Sequence, residues 1–150
     1  MTEAGTESDK LWRDFSIYPF HVAICDNVSD LIKLQEGLKI PPEDIYREIT
    51  GKATTFEFKN KSSGHLAVII ALGDLSWNPY SVAGVAAHES MHAVQALWHH
   101  IGEKTPGAEA EAYLIQSLTD EIMEFIEDNH PYTKPRAKKR SPDPVNLTQE

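Results

Sequence analysis

The sequence predicts an α+β domain: a small three-stranded sheet packed against a long helix and against the helix that follows it. Three observations carry that prediction. Two short apolar runs of strand length, FHVAIC and HLAVIIAL, lie in the first half of the chain. A polar–apolar alternating segment, TTFEF, comes just before the second of them. Two long segments without internal proline then fill the second half, with apolar residues recurring at helical spacing.

Each element has its own signal. Phe20–Cys25 is apolar and β-branched and ends at Asp26 and Asn27, which reads as a strand. Ser29–Leu38 places Leu31, Ile32 and Leu34 at helical spacing, and Pro41–Pro42 stops that helix. In Thr54–Phe58 the alternation sets Phe56 and Phe58 on one face of a strand. Lys59–Gly64 is a turn, so this strand and His65–Leu72 form a hairpin. The near-continuous apolar character of His65–Leu72 suits a central strand covered on both faces. Val82–Ile101 is a helix, with Ser81 as its expected N-cap and Gly102 as its stop. Pro106–Gly107 opens the next helix, which runs to about Asp128.

Composition limits the function classes. A chain of 150 residues with 41% hydrophobic and 25% charged residues is one ordinary globular domain. One cysteine excludes an internal disulfide framework and a multi-cysteine metal cluster. No apolar run reaches the roughly 20 residues of a membrane span, and MTEAGTESDKLWRDF lacks the pattern of a signal peptide. The expectation is a soluble protein of a reducing, cytoplasmic compartment with no membrane partner. The net charge of −9 argues against nucleic acid as a partner, because phosphate contacts need Lys and Arg. Residues 1–10 and 130–150 have too few apolar groups to pack, leaving 11–129 as the domain. The second of these tails carries the basic run Lys134–Arg140, the one feature suited to touching nucleic acid or an acidic partner.

The chemistry concentrates in His88-Glu89-Ser90-Met91-His92. Histidines at i and i+4 project from one face of a helix, about 5–6 Å apart at Cβ. Both imidazoles then reach one tetrahedral zinc at about 2.0–2.1 Å. Glu89 stands beside that position, placed to take a proton from a water and pass it to a leaving amine. This is the HExxH pattern of zinc peptidases. The flanks VAGVAA and AVQALW are apolar, so the helix is buried and its polar groups need partners.

A catalytic zinc takes three protein ligands and leaves a fourth position open. A third histidine at the metzincin spacing is missing, because Gln95 and Trp98 occupy the Gly and His positions of that pattern. His99 follows about two turns, or 10 Å, beyond His92, too far to share the ion. The following helix offers Glu109 and Glu111. Glu111 shares a stripe with Ile115, Leu118, Ile122 and Phe125, the inward face. Glu109 shares a polar stripe with Tyr113, Gln116 and Asp120. Glu111 is therefore the expected third ligand, although residues 93–101 climb about 13 Å while residues 107–111 descend only about 6 Å. The two helices must then cross at an angle, or the first must end early.

HESMHAV, a linker and PGAEAEAYLIQ together resemble the gluzincin arrangement of thermolysin-like peptidases. The segment is also similar to ImmA/IrrE-type metallopeptidases. The wider layout, FHVAICD through PGAEAEAYLIQ, most resembles small metallopeptidase-like proteins of tailed bacteriophages. The resemblance implies a minimal gluzincin core with zinc on His88, His92 and Glu111 and with Glu89 as general base. It also implies a peptide or protein substrate that pairs with an exposed edge strand. The chain departs from thermolysin-like enzymes in one place: the Asp expected four residues after the ligand Glu is Ile115. Gln116, Asp120 and Asp74 are the open candidates to orient a zinc histidine, and Tyr113, Tyr80, His99 and His100 to stabilise an oxyanion. The expected function is zinc-dependent peptide hydrolysis. The alternative is a zinc-binding protein that engages a host protein without cleaving it.

The remaining reactive or aromatic residues read as structural. Trp12, Trp77 and Trp98 are packing aromatics, His21 and His65 lie at the surface, and Cys25 is a buried, inert thiol.

Overall fold

The computed structural model describes residues 7–130 except 16, 62, 76 and 77. Trp77 and the basic run Lys134–Arg140 lie outside the described residues. The chain forms strands β1 (Trp12–Asp14), β2 (Phe20–Cys25), β3 (Ala53–Lys59) and β4 (Leu66–Leu72). The α-helices are α1 (Val28–Gly37), α2 (Pro79–Ile101) and α3 (Ala108–Asn129). The first element among the described residues is a 3₁₀ turn at Glu7–Leu11, most of it inside the 1–10 stretch expected not to pack.

The fold is α+β, but its sheet has four strands rather than three, in the order β1-β2-β4-β3. The additional strand, β1, is antiparallel to β2, with Trp12 opposite Ala23. Three residues are too few to show a period of two, so β1 exists only through that pairing. β2 and β4 run parallel, and β3 is antiparallel to β4 as the expected hairpin.

Both central strands are covered on both faces, and side-chain alternation divides the core in two. Phe20, Val22, Ile24, Leu66, Val68, Ile70 and Leu72 meet α2 and α3. Ala23, Cys25, Ile69 and Ala71 meet Leu31 and Leu34 of α1 on the opposite face. All seven residues of β4 are buried, as the continuous apolar run requires. Fully burying a side chain such as Ile69 or Ile70 contributes about 1.5–3 kcal/mol.

The caps follow simple donor–acceptor logic. Asn27 caps α1, its side chain accepting from Asp30 N–H at 2.8 Å. Asn78, not Ser81, caps α2, accepting from Tyr80 N–H at 3.0 Å. Pro79 at the first helical position has no N–H to leave unpaired, so the helix starts three residues before Val82. Gly102 ends α2 with φ 74°, a left-handed conformation that glycine adopts without strain. Gln35, a fully buried polar residue, clamps the loop after α1. Its amide donates to Leu31 O at 3.0 Å and Tyr46 O at 2.8 Å, and accepts from Tyr46 N–H at 2.8 Å.

Three contacts fix how α2 and α3 run. Lys52 Nζ, just before β3, lies 3.3 Å from Ser81 Oγ near the start of α2. His100, at the other end of α2, bonds Gly64 O at 2.8 Å beside the start of β4. α2 therefore runs parallel to β3. His130, just past α3, bonds Asp26 at 2.7 Å beyond the end of β2, so α3 returns antiparallel to α2. No helix among the described residues is long and apolar enough to cross a membrane.

Cys25 is fully buried, and its thiol is pushed up to about 12 by that burial and then by the charges of Asp30 and Asp26. Native protein at pH 8 should resist an aromatic disulfide reagent and react only once unfolded. The folded thiol holds its proton above 9.0, where an unfolded one releases it, so stability should fall as pH rises from about 9 towards 12. Rapid labelling of native protein would contradict this burial.

Candidate metal centre

α2 contains no Asp, Glu, Lys or Arg except Glu89. Glu89 is only 6% exposed, so its carboxylate needs a partner. Thr55 of β3 supplies it, donating from Oγ1 to Glu89 Oε2 at 2.5 Å. Thr55 was missed in the sequence, although the alternation that puts Phe56 and Phe58 on the α1 face puts Thr55 on the α2 face. The bond fixes one carboxylate oxygen and leaves the other for a reactant.

His88 and His92 lie side by side on the exposed side of α2, their rings nearly perpendicular at 80°. Their Nε2 atoms converge to 3.0 Å. Two nitrogens bound tetrahedrally at about 2.0–2.1 Å would stand about 3.3 Å apart. The pair thus fits zinc with only a small ring rotation, and i, i+4 helical spacing alone produces that fit.

Glu111 is half-buried and Glu109 exposed, in keeping with the helical phase read from the sequence. The packing nevertheless does not bring Glu111 to the pair. α2 and α3 touch where Thr119 Oγ1 lies 3.1 Å from Ser90 Oγ. Eight residues of α3 separate Thr119 from Glu111, so Glu111 sits about 9 Å beyond His92 and about 15 Å beyond His88 along the antiparallel axes. At about 100° per residue, His88 and His92 point some 160–200° away from Ser90, off the side of α2 that faces α3. Among the described residues, no three His, Cys, Asp or Glu side chains are gathered at metal distance.

The other candidates also stand apart from the pair. Gln116, Asp120 and Tyr113 are exposed on α3, and Asp74 is exposed just after β4. Tyr80, 88% exposed, is about 12 Å up α2 from His88. His99 is about 10 Å down α2 from His92, and His100 is engaged with Gly64. His21 and His65 stack on each other, with Nε2 and Nδ1 2.9 Å apart, rather than turning to the candidate site. Trp98 is buried and meets Tyr18 edge-on at 5.7 Å, the packing role expected of it.

Comparison with protein families, curated proteins and solved structures finds no match to this chain.

Proposed function

We propose that the chain is a zinc metallopeptidase of minimal gluzincin type, with His88 and His92 as metal ligands and Glu89 as general base and acid. The observation that carries this is the convergence of the two Nε2 atoms to 3.0 Å beside a buried, anchored carboxylate. A purely structural metal site has no use for Glu89. Zinc, when bound, activates water and polarises a carbonyl. Glu89 takes the proton of the attacking water on its free oxygen and delivers it to the departing amine. Thr55 holds the carboxylate in one orientation throughout, so no reorganisation accompanies the transfer.

Metal analysis of purified protein, followed by cleavage of a broad peptide library with and without a chelator, tests the proposal. The expected result is one zinc per chain and chelator-sensitive cleavage. Metal-free protein, or cleavage indifferent to the chelator, would overturn it. One observation favours a second reading, a zinc-binding protein that holds a partner without cutting it. The exposed face of α2 (Tyr80, Ala83, Gly84, Ala87, Met91, Gln95) carries no charged side chain, which suits a protein contact. Stoichiometric zinc without cleavage would select that reading.

A further inference from the structure

We propose that residues 131–140 fold back along α3 and lie in the groove that α3 forms with the start of α2, held there by ion pairs to α3. The groove encloses about 380 Å³. Pro79, Val82, Met123 and Ile126 line it with apolar surface, and Asp120, Glu124 and Glu127 line its α3 side. α3 carries seven carboxylates and no Lys or Arg. Five of them, Asp120, Glu121, Glu124, Glu127 and Asp128, fall in its last ten residues. There the helix dipole is negative, and Asp120, Glu124 and Asp128 stack like charges four residues apart, so these carboxylates destabilise the helix end. Among the described residues, Arg13 alone pairs with this helix, 2.7 Å from Glu121. The groove thus combines an apolar lining with a row of exposed carboxylates that lack a cation.

The next cations in the chain are Lys134 and Arg136, and residues 134–140 hold five cations and no acid. His130, itself a lining residue, leads the chain out at the mouth of the groove. Pro131 and Pro135 favour polyproline II, which rises about 3.1 Å per residue with three residues per turn. With the reversal made at Pro131, Lys134 returns about 9 Å along α3 and Arg136 about 15 Å. Glu124 lies about 9 Å and Asp120 about 15 Å before His130. Each cation thus comes level with one carboxylate. Tyr132 and Pro135, three residues apart, share one side of the segment and fall within about 3 Å of the levels of Ile126 and Met123. Residues 131–140 need no core of their own to be held this way. Tethering also gives them an effective concentration of millimolar order, so ordinary surface ion pairs suffice.

A nitroxide on Ala137→Cys of the full chain tests this, since Cys25 is fully buried and leaves residue 137 to take the label. Amides from Ser117 to Glu124 of α3 should lose most of their signal intensity, while those of β3 keep theirs. Asp120→Asn with Glu124→Gln should recover most of that intensity, and so should added salt. Tryptic cleavage after Arg136 should be about 2–30-fold faster in this double variant, the range that two exposed ion pairs allow. Exchanging the charges, with Asp120→Lys and Glu124→Lys alongside Lys134→Glu and Arg136→Glu, should bring the signal loss back, which a fold defect would not do. Even broadening across the chain, or selective broadening that survives the double variant, would overturn the proposal. So would broadening seen only between labelled and isotope-marked chains in a mixture, because the segment would then lie on a second copy.

Discussion

Glu89→Gln should lower peptide hydrolysis by about 10²–10⁴-fold, the range for removing a positioned general base, while zinc content stays at the wild-type level. The amide is nearly the same shape as the carboxylate, so it still fills the buried position and still accepts the Thr55 hydroxyl through its oxygen. What it loses is the ability to take a proton. Parallel measurement of turnover and metal stoichiometry separates the two effects. Loss of metal would make Glu89 a ligand, and full activity would remove it from the mechanism.

His92→Ala should abolish the stabilisation that zinc confers. Ligand binding to the native state adds about 2.7 kcal/mol when free metal is 100 times Kd. For a domain of this size each kcal/mol moves Tm by about 2–4 °C, so zinc should raise the wild-type midpoint by about 5–11 °C. The variant keeps one imidazole of the 3.0 Å pair and should show almost none of that rise. Its metal-free midpoint should equal or slightly exceed the wild-type value, because His92 is exposed and alanine is the better helix former. Melting curves with and without zinc give both quantities. An unchanged zinc response in His92→Ala would place the metal elsewhere.

The sequence disclosed what depends on near neighbours. β4 was legible because seven buried residues in a row leave no other solution, and Gly102 because one backbone conformation demands it. The side-by-side histidines follow from helical spacing, and the phase of Glu111 against Glu109 from the apolar stripe of α3. β1 was illegible because its three residues hold no period and depend on β2 across a turn. The start of α2 was misplaced because Ser81 and Asn78 are both good caps, and Pro79 decided between them. The height of Glu111 against the histidines was equally hidden. It is set where Ser90 meets Thr119, residues with no signal that they touch. Thr55 reaches Glu89 by strand pairing and by the course of α2, both properties of the assembled sheet.

The parallel pairing of β2 with β4 sets the order in which the chain can assemble. Phe20 meets Leu66 and Cys25 meets Ala71 across 46 residues of sequence. The β3–β4 hairpin and the α2–α3 pair, by contrast, each join neighbours in the chain. Long closures lose more chain entropy before any contact repays them, so the local pairs form cheaply and the central pairing waits. The C-terminal part of the chain thus gathers first around β4. The segment carrying β1, β2 and α1 should then dock last, adding two strands and covering with α1 the face opposite α2 and α3.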